Sequence, residues 1–155
     1  MKKTIITIMI TFIGLSISYG AVEYGATARI QFPIELLPTN INMVQTYLAN
    51  QKLIIISSDN ILSARELMGD QADRIKEEIT SISTRTVDVS STIEVQCKAT
   101  GPVICSSFAN ALAEAYINWH HNTLTNLNTH PVIIQKAIPA GPPKSTIERM
   151  FKSVF

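Results

Sequence analysis

Between Val87 and Trp119 the spacing of apolar residues changes once, from two to about 3.6, and this change restricts the fold most. Val87, Val89, Ser91, Ile93, Val95 and Cys97 alternate with Asp88, Ser90, Thr92, Glu94 and Gln96. Such alternation predicts a long strand with one face buried and one wet. Thr100-Gly101-Pro102 then turns the chain and places proline where a helix begins. From Val103 to about Asn122, Cys105, Phe108, Leu112, Tyr116 and Trp119 form one helical stripe. Ala109, Ala111, Ala113 and Ala115 keep the remaining surface slim, which permits close packing on a sheet or a second helix.

The flanking segments fill in the order. Ala26, Ala28, Ile30 and Phe32 alternate with Thr27, Arg29 and Gln31, predicting a half-buried strand from Tyr24 to Phe32. Pro33 and Pro38 break it, and Asn40 can cap a helix through Met43, Val44, Tyr47 and Leu48. Leu53–Ile56 is β-branched within helical flanks and is read as helix. Ser58 and Asp59 mark a new start, and Ile61–Met68 reads as a short helix that stops at Gly69. Asp70 is the expected cap of the next helix, with Ala72, Ile75, Ile79 and Ile82 on one side and the charges from Asp73 to Glu78 on the other. Asn122–His130 is a polar connection, Val132–Ile138 a last strand, and Pro139–Pro143 ends the domain. Strand, helices, strand, helix, strand predicts an α+β fold, a small sheet of about three or more strands against several helices.

Residues 1–20 have a different character. Met1-Lys2-Lys3 precedes an uncharged apolar run, Thr4–Ser18, the pattern of an export signal. Ser18-Tyr19-Gly20 offers a cleavage site before Ala21, and the alternative is a retained signal anchor. No cysteine lies nearby to carry a lipid. The expected organisation is therefore a signal peptide or anchor at 1–20, a periplasmic or extracellular domain at 21–143, and a tail at 144–155. Ile147, Met150, Phe151 and Val154 give that tail one apolar side. Removing Lys2 and Lys3 takes the formal charge from +1 to −1, which gives no electrostatic reason to expect nucleic acid. The membrane is contacted only through the N-terminal segment, if that is retained.

Few residues suggest chemistry. The chain has no phosphate loop, nucleophile elbow, H-E-x-x-H helix or C-x-x-C pair. Ser106 and Ser107 read as helix-start polar residues with no base nearby in sequence. His120, His121 and His130 are the only histidines; neighbours on a helix point about 100° apart, so the first two read as a plain surface helix end and not as a metal site. No catalytic residue, cofactor or metal is expected. Cys97 and Cys105, the only cysteines, fall on inward faces of adjacent elements. In an oxidising compartment they are a possible disulfide, two buried thiols being the alternative.

The ordered series of motifs resembles the periplasmic domain of polysaccharide co-polymerases, the Wzz-type chain-length determinant family. Tyr24-Gly25-Ala26-Thr27-Ala28-Arg29-Ile30 is similar to that family's Y-x-A-T-A-x-I strand. Leu53–Ile56, Ser58, Ile61 and Leu62 resemble its L-x-x-I-x-S-x-x-V-L stretch. Gly101-Pro102 followed by Ala109-Asn110-Ala111-Leu112-Ala113-Glu114-Ala115-Tyr116 resembles D-P-x-x-A-x-x-x-A-N-A-x-A-E-A-Y. Ala137–Pro143 looks like the exit towards the family's second membrane helix. The likeness covers about residues 24–145, with Gly101 in place of the usual Asp and only Asn118–His130 where a long coiled coil normally stands. The second membrane helix and kinase domain have no counterpart in these 155 residues. The resemblance implies a non-enzymatic homo-oligomer assisting surface-polysaccharide assembly or export proteins, with subunit contacts on outward residues of the strand and of the Val103–Trp119 helix. A secreted binding or adhesion module with the same fold is the alternative.

Overall fold

The computed structural model describes residues 22–87 and 91–141. The expected export segment at 1–20, the tail at 144–155, and Asp88, Val89 and Ser90 lie outside them. The fold is α+β: β1 (Tyr24–Gln31), α1 (Ile41–Ile55), α2 (Ser58–Met68), α3 (Ala72–Glu78), β2 (Ile79–Thr86), β3 (Thr92–Ala99), α4 (Pro102–Thr123) and β4 (Val132–Gln135). Single 3₁₀ turns at Ile34–Leu36 and Gly69–Gln71 lead into α1 and α3. The strands form one antiparallel sheet in the order β2-β3-β1-β4.

The alternation in β1 does what period two requires. Ala26, Ala28, Ile30 and Phe32 are buried and meet Ile93, Val95, Cys97 and Ala99 of β3 on the same face. Against this face lies α4, whose Cys105, Phe108, Leu112 and Tyr116 are buried as the stripe predicted, while Trp119 is 36% exposed. The alanines of α4 are buried too, because α2 packs on the side away from the sheet. Asn40 caps α1, its Oδ1 accepting from the Asn42 N–H at 2.9 Å, and the helix runs through Leu53, Ile54 and Ile55 as expected. Gly69 ends α2 with φ +52°, a left-handed conformation that favours glycine.

Two expected elements are corrected. Asp70 does not cap α3: it sits in the preceding 3₁₀ turn, and Gln71 takes the cap position without a side-chain bond. That helix ends at Glu78, and Ile79 and Ile82 belong to β2. Their spacing of three looked helical because the register shifts between Ile79 and Ser81. One extra residue places Ile79 opposite Ala99 and Ile82 opposite Cys97, so both stay on one face of a bulged strand. The expected single strand from Val87 to Cys97 is thus the second arm of a hairpin, beginning at Thr92.

The hairpin also explains Gly101. A Cβ built at Gly101, the cap position of α4, would overlap Glu78 Oε2 and meet Ile104 Cγ2 at 3.3 Å. Glu78 is held there by Arg74 Nε at 2.6 Å, and its carboxylate lies against the positive end of the α4 dipole. Gly101→Asp would gain a side-chain cap, yet would displace one carboxylate and set another beside it. We expect a net loss of about 1 kcal/mol by urea denaturation, which a Glu78→Gln background should remove. A stabilising Gly101→Asp in the native background would contradict this account of the helix start.

Candidate interaction surface

An apolar stripe on α1 runs past the edge of the core. Leu48 and Ile55 are buried and Val44 is half-buried, but Ile41, next on the same stripe, is exposed. The chain entering α1 places Ile34, Leu37 and Pro38 beside it, and these residues line a cleft of about 710 Å³. The cleft continues to Thr86, Val87 and Ser91 near the hairpin turn, and Lys52 is the one charged residue among its described lining residues. Of its lining residues, Ile34 and Ile41 are 79% and 70% exposed. Contiguous exposed apolar side chains around a cleft mark a contact surface. No local signal in the sequence separates Ile41 from its buried neighbours; only where the sheet ends decides it.

The sheet face away from the helices is polar, and it is not simply wet. In one row across three strands Arg29 of β1 and Arg85 of β2 stand opposite Glu94 of β3. Glu94 was expected on the solvated face, yet it is 2% exposed, because the two guanidiniums lie over it. Oε1 accepts from Arg29 Nε at 2.9 Å, and Oε2 accepts from Arg85 Nε at 2.5 Å and from Gln96 Nε2 at 3.1 Å. The bond from Arg85, followed by those from Arg29 and Gln96, holds the Glu94 carboxyl below its ordinary range against the opposing effect of burial. Arg29 comes from 65 residues away, so alternation alone could not reveal the row.

Cys97 and Cys105 meet on the helix side of the sheet, as their inward positions predicted. In this structure both are buried free cysteines, the alternative that the sequence left open beside a disulfide. The Cys105 thiol donates to the Cys97 carbonyl at 2.9 Å and lies 3.2 Å from the Tyr24 carbonyl. Burial pushes both thiols above their ordinary range, which keeps them neutral. Ser106 is a helix-start residue bonded to the Val103 carbonyl at 3.0 Å, and Ser107 stands half-buried beside it.

The histidines correct the expectation of a plain surface helix end. His120 is fully buried, and its Nδ1 lies 2.9 Å from His130 Nδ1. His121 stacks on the His130 ring at 3.8 Å. Among the described residues no group of three or more His, Cys, Asp and Glu side chains is arranged to hold a metal ion. The sequence missed a second device as well. Asn110, amid the alanines of α4, donates to the Ala137 carbonyl at 2.9 Å and accepts from the Ala137 N–H at 2.7 Å, clipping the exit of β4 to the helix. A lone amide on an otherwise apolar helix face was the available signal, since a buried amide requires partners.

No helix among the described residues is long and apolar enough to cross a membrane. No protein-family model and no curated protein sequence matches this chain.

Proposed function

We propose that this chain is a non-enzymatic exported assembly module, related to the base domain of polysaccharide co-polymerases. It assists surface-polysaccharide assembly or export through self-association and protein contacts. The overhanging apolar stripe carries the contact role: Ile41, with Ile34 beside it, stands exposed at the mouth of an apolar cleft. The α4 helix is a poorer contact surface than its sequence suggests. It lies between the sheet and α2, which leaves Glu114, Asn118 and Trp119 as a narrow outward strip. The polysaccharide setting is supported by the ordered motif series, whose members fall on β1, on the α1–α2 junction and on α4. Association is weak on this account, because one exposed stripe offers less than the roughly 1,600 Å² of a stable complex.

Gene deletion with complementation tests the reading. We expect deletion to change the amount or length distribution of surface polysaccharide, wild type to restore it, and Ile34→Asp/Ile41→Asp to fail. Both positions are exposed, so the variant should fold normally. Unchanged polysaccharide on deletion would reject the polysaccharide role and favour the secreted binding module.

A further inference from the structure

The three histidines sit where α4 hands the chain to β4. His120 and His121 lie in the last turn of α4, and His130 precedes Pro131 and the start of β4. Among the described residues, the bond between the two sides that a proton can make or break is the one joining the Nδ1 atoms of His120 and His130, 2.9 Å apart. With both rings neutral, one Nδ1–H donates to the other Nδ1 lone pair. A first proton taken up by the pair leaves that bond intact, with an imidazolium as donor. A second sets N–H against N–H and breaks it.

The surroundings sharpen this limit. His120 Nε2 is buried and has no hydrogen-bond partner among the described residues, so nothing at that nitrogen steadies a charge on the ring. From α4 itself the rings of Tyr116 and Trp119 face His120 at 6.1 and 6.3 Å, and from the connection only His130 does. Tyr116 is neutral, and the other charges acting on His120 are those of His130 and His121, which repel a cation. Burial, then these two neighbours, hold His120 below the ordinary imidazole range. His121 stacks on the His130 ring at 3.8 Å and so completes the cluster.

We propose that His120, His121 and His130 form an acid-released clamp, which fastens the 124–131 connection to the end of α4 when neutral and frees it when the pair takes up a second proton. Asn110 holds the far end of β4 through neutral bonds, so release is local and the sheet stays assembled. The sign follows from the buried neutral ring. Its contribution is complete above the ordinary imidazole pKa of about 6.5 and declines as pH falls through and below that value.

Trp119 is the single tryptophan and lies beside His120, so its emission reports the clamp directly. For the 155-residue chain we expect emission to change below about pH 6.5, as the pair takes up its second proton, while the far-ultraviolet signal of helix and sheet holds. In His130→Asn, whose amide keeps a hydrogen bond but does not titrate, that emission change should be lost. Imidazole resonances of the native protein give a second readout: His120 and His130 should titrate as a coupled pair. Three independent one-proton curves near the ordinary imidazole value would overturn the proposal. So would a His130→Asn emission curve that superposes on wild type, or loss of secondary structure in step with the emission change.

Discussion

Replacing Tyr116 with alanine should lower the unfolding free energy by about 4 kcal/mol, whereas Tyr116→Phe should cost about 1 kcal/mol. The asymmetry comes from where the side chain sits. Its ring is completely buried, packs 6.1 Å from Phe32 of the β1 exit and stacks on Trp119 at 5.9 Å. Phe32 in turn meets Tyr47 edge-on at 6.0 Å, so these aromatic contacts join the sheet, α1 and α4. Alanine would open a cavity at that junction, one that the surrounding strands and helices cannot collapse to fill. The hydroxyl makes one bond, donating to Gln51 Oε1 at 2.8 Å on α1, and Gln51 is half-buried, so water can replace the lost donor. Urea denaturation of the two variants measures both values. Equal losses would mean that the hydroxyl bond, and not the ring, secures the junction.

The second large effect lies on the opposite face of the sheet. Arg29→Met/Arg85→Met should cost about 2 kcal/mol at neutral pH. Removing both cations strands the Glu94 carboxylate among apolar stems on the central strands. The figure is kept below that for a fully buried ion pair, because the arginine side chains are 43% and 66% exposed and water lies one side chain away. The pH dependence discriminates better than the magnitude. In the native protein the depressed Glu94 carboxyl contributes stability that is complete above its ordinary pKa of 4.5 and is lost as pH falls through and below it. Without the arginines, burial is opposed only by the Gln96 bond and the carboxyl rises. Between about pH 7 and 5 the double variant should therefore gain stability on acidification, the reverse slope. Parallel pH profiles for variant and native protein would contradict this reading of the row.

These two regions also mark how far the sequence could be read. The β1 alternation, the Asn40 cap, the stop at Gly69 and the α4 stripe are local patterns, and each became the element it predicted. The hairpin was misread because a bulge shifts Ile79 and Ile82 to a spacing of three, which imitates a helix. Val87 then seemed to begin a strand when it follows the end of one. Glu94 looked solvated because its two cations arrive on neighbouring strands, neither of them visible in the local alternation. His120 and His130 are ten residues apart across a connection without periodicity, so only the path of that connection could bring their rings together. The exposed stripe was illegible for a related reason. Ile41, Val44 and Leu48 continue one helical face, and burial stops along it where the sheet gives out.

That stripe carries the proposed role in assembly, and sedimentation velocity of the protein across a concentration series tests it most directly. The account predicts a weight-average sedimentation coefficient that rises with concentration in the native protein and stays at the monomer value in Ile34→Asp/Ile41→Asp. A native protein that remains monomeric at the highest concentration, or a variant that associates as well as wild type, would contradict it.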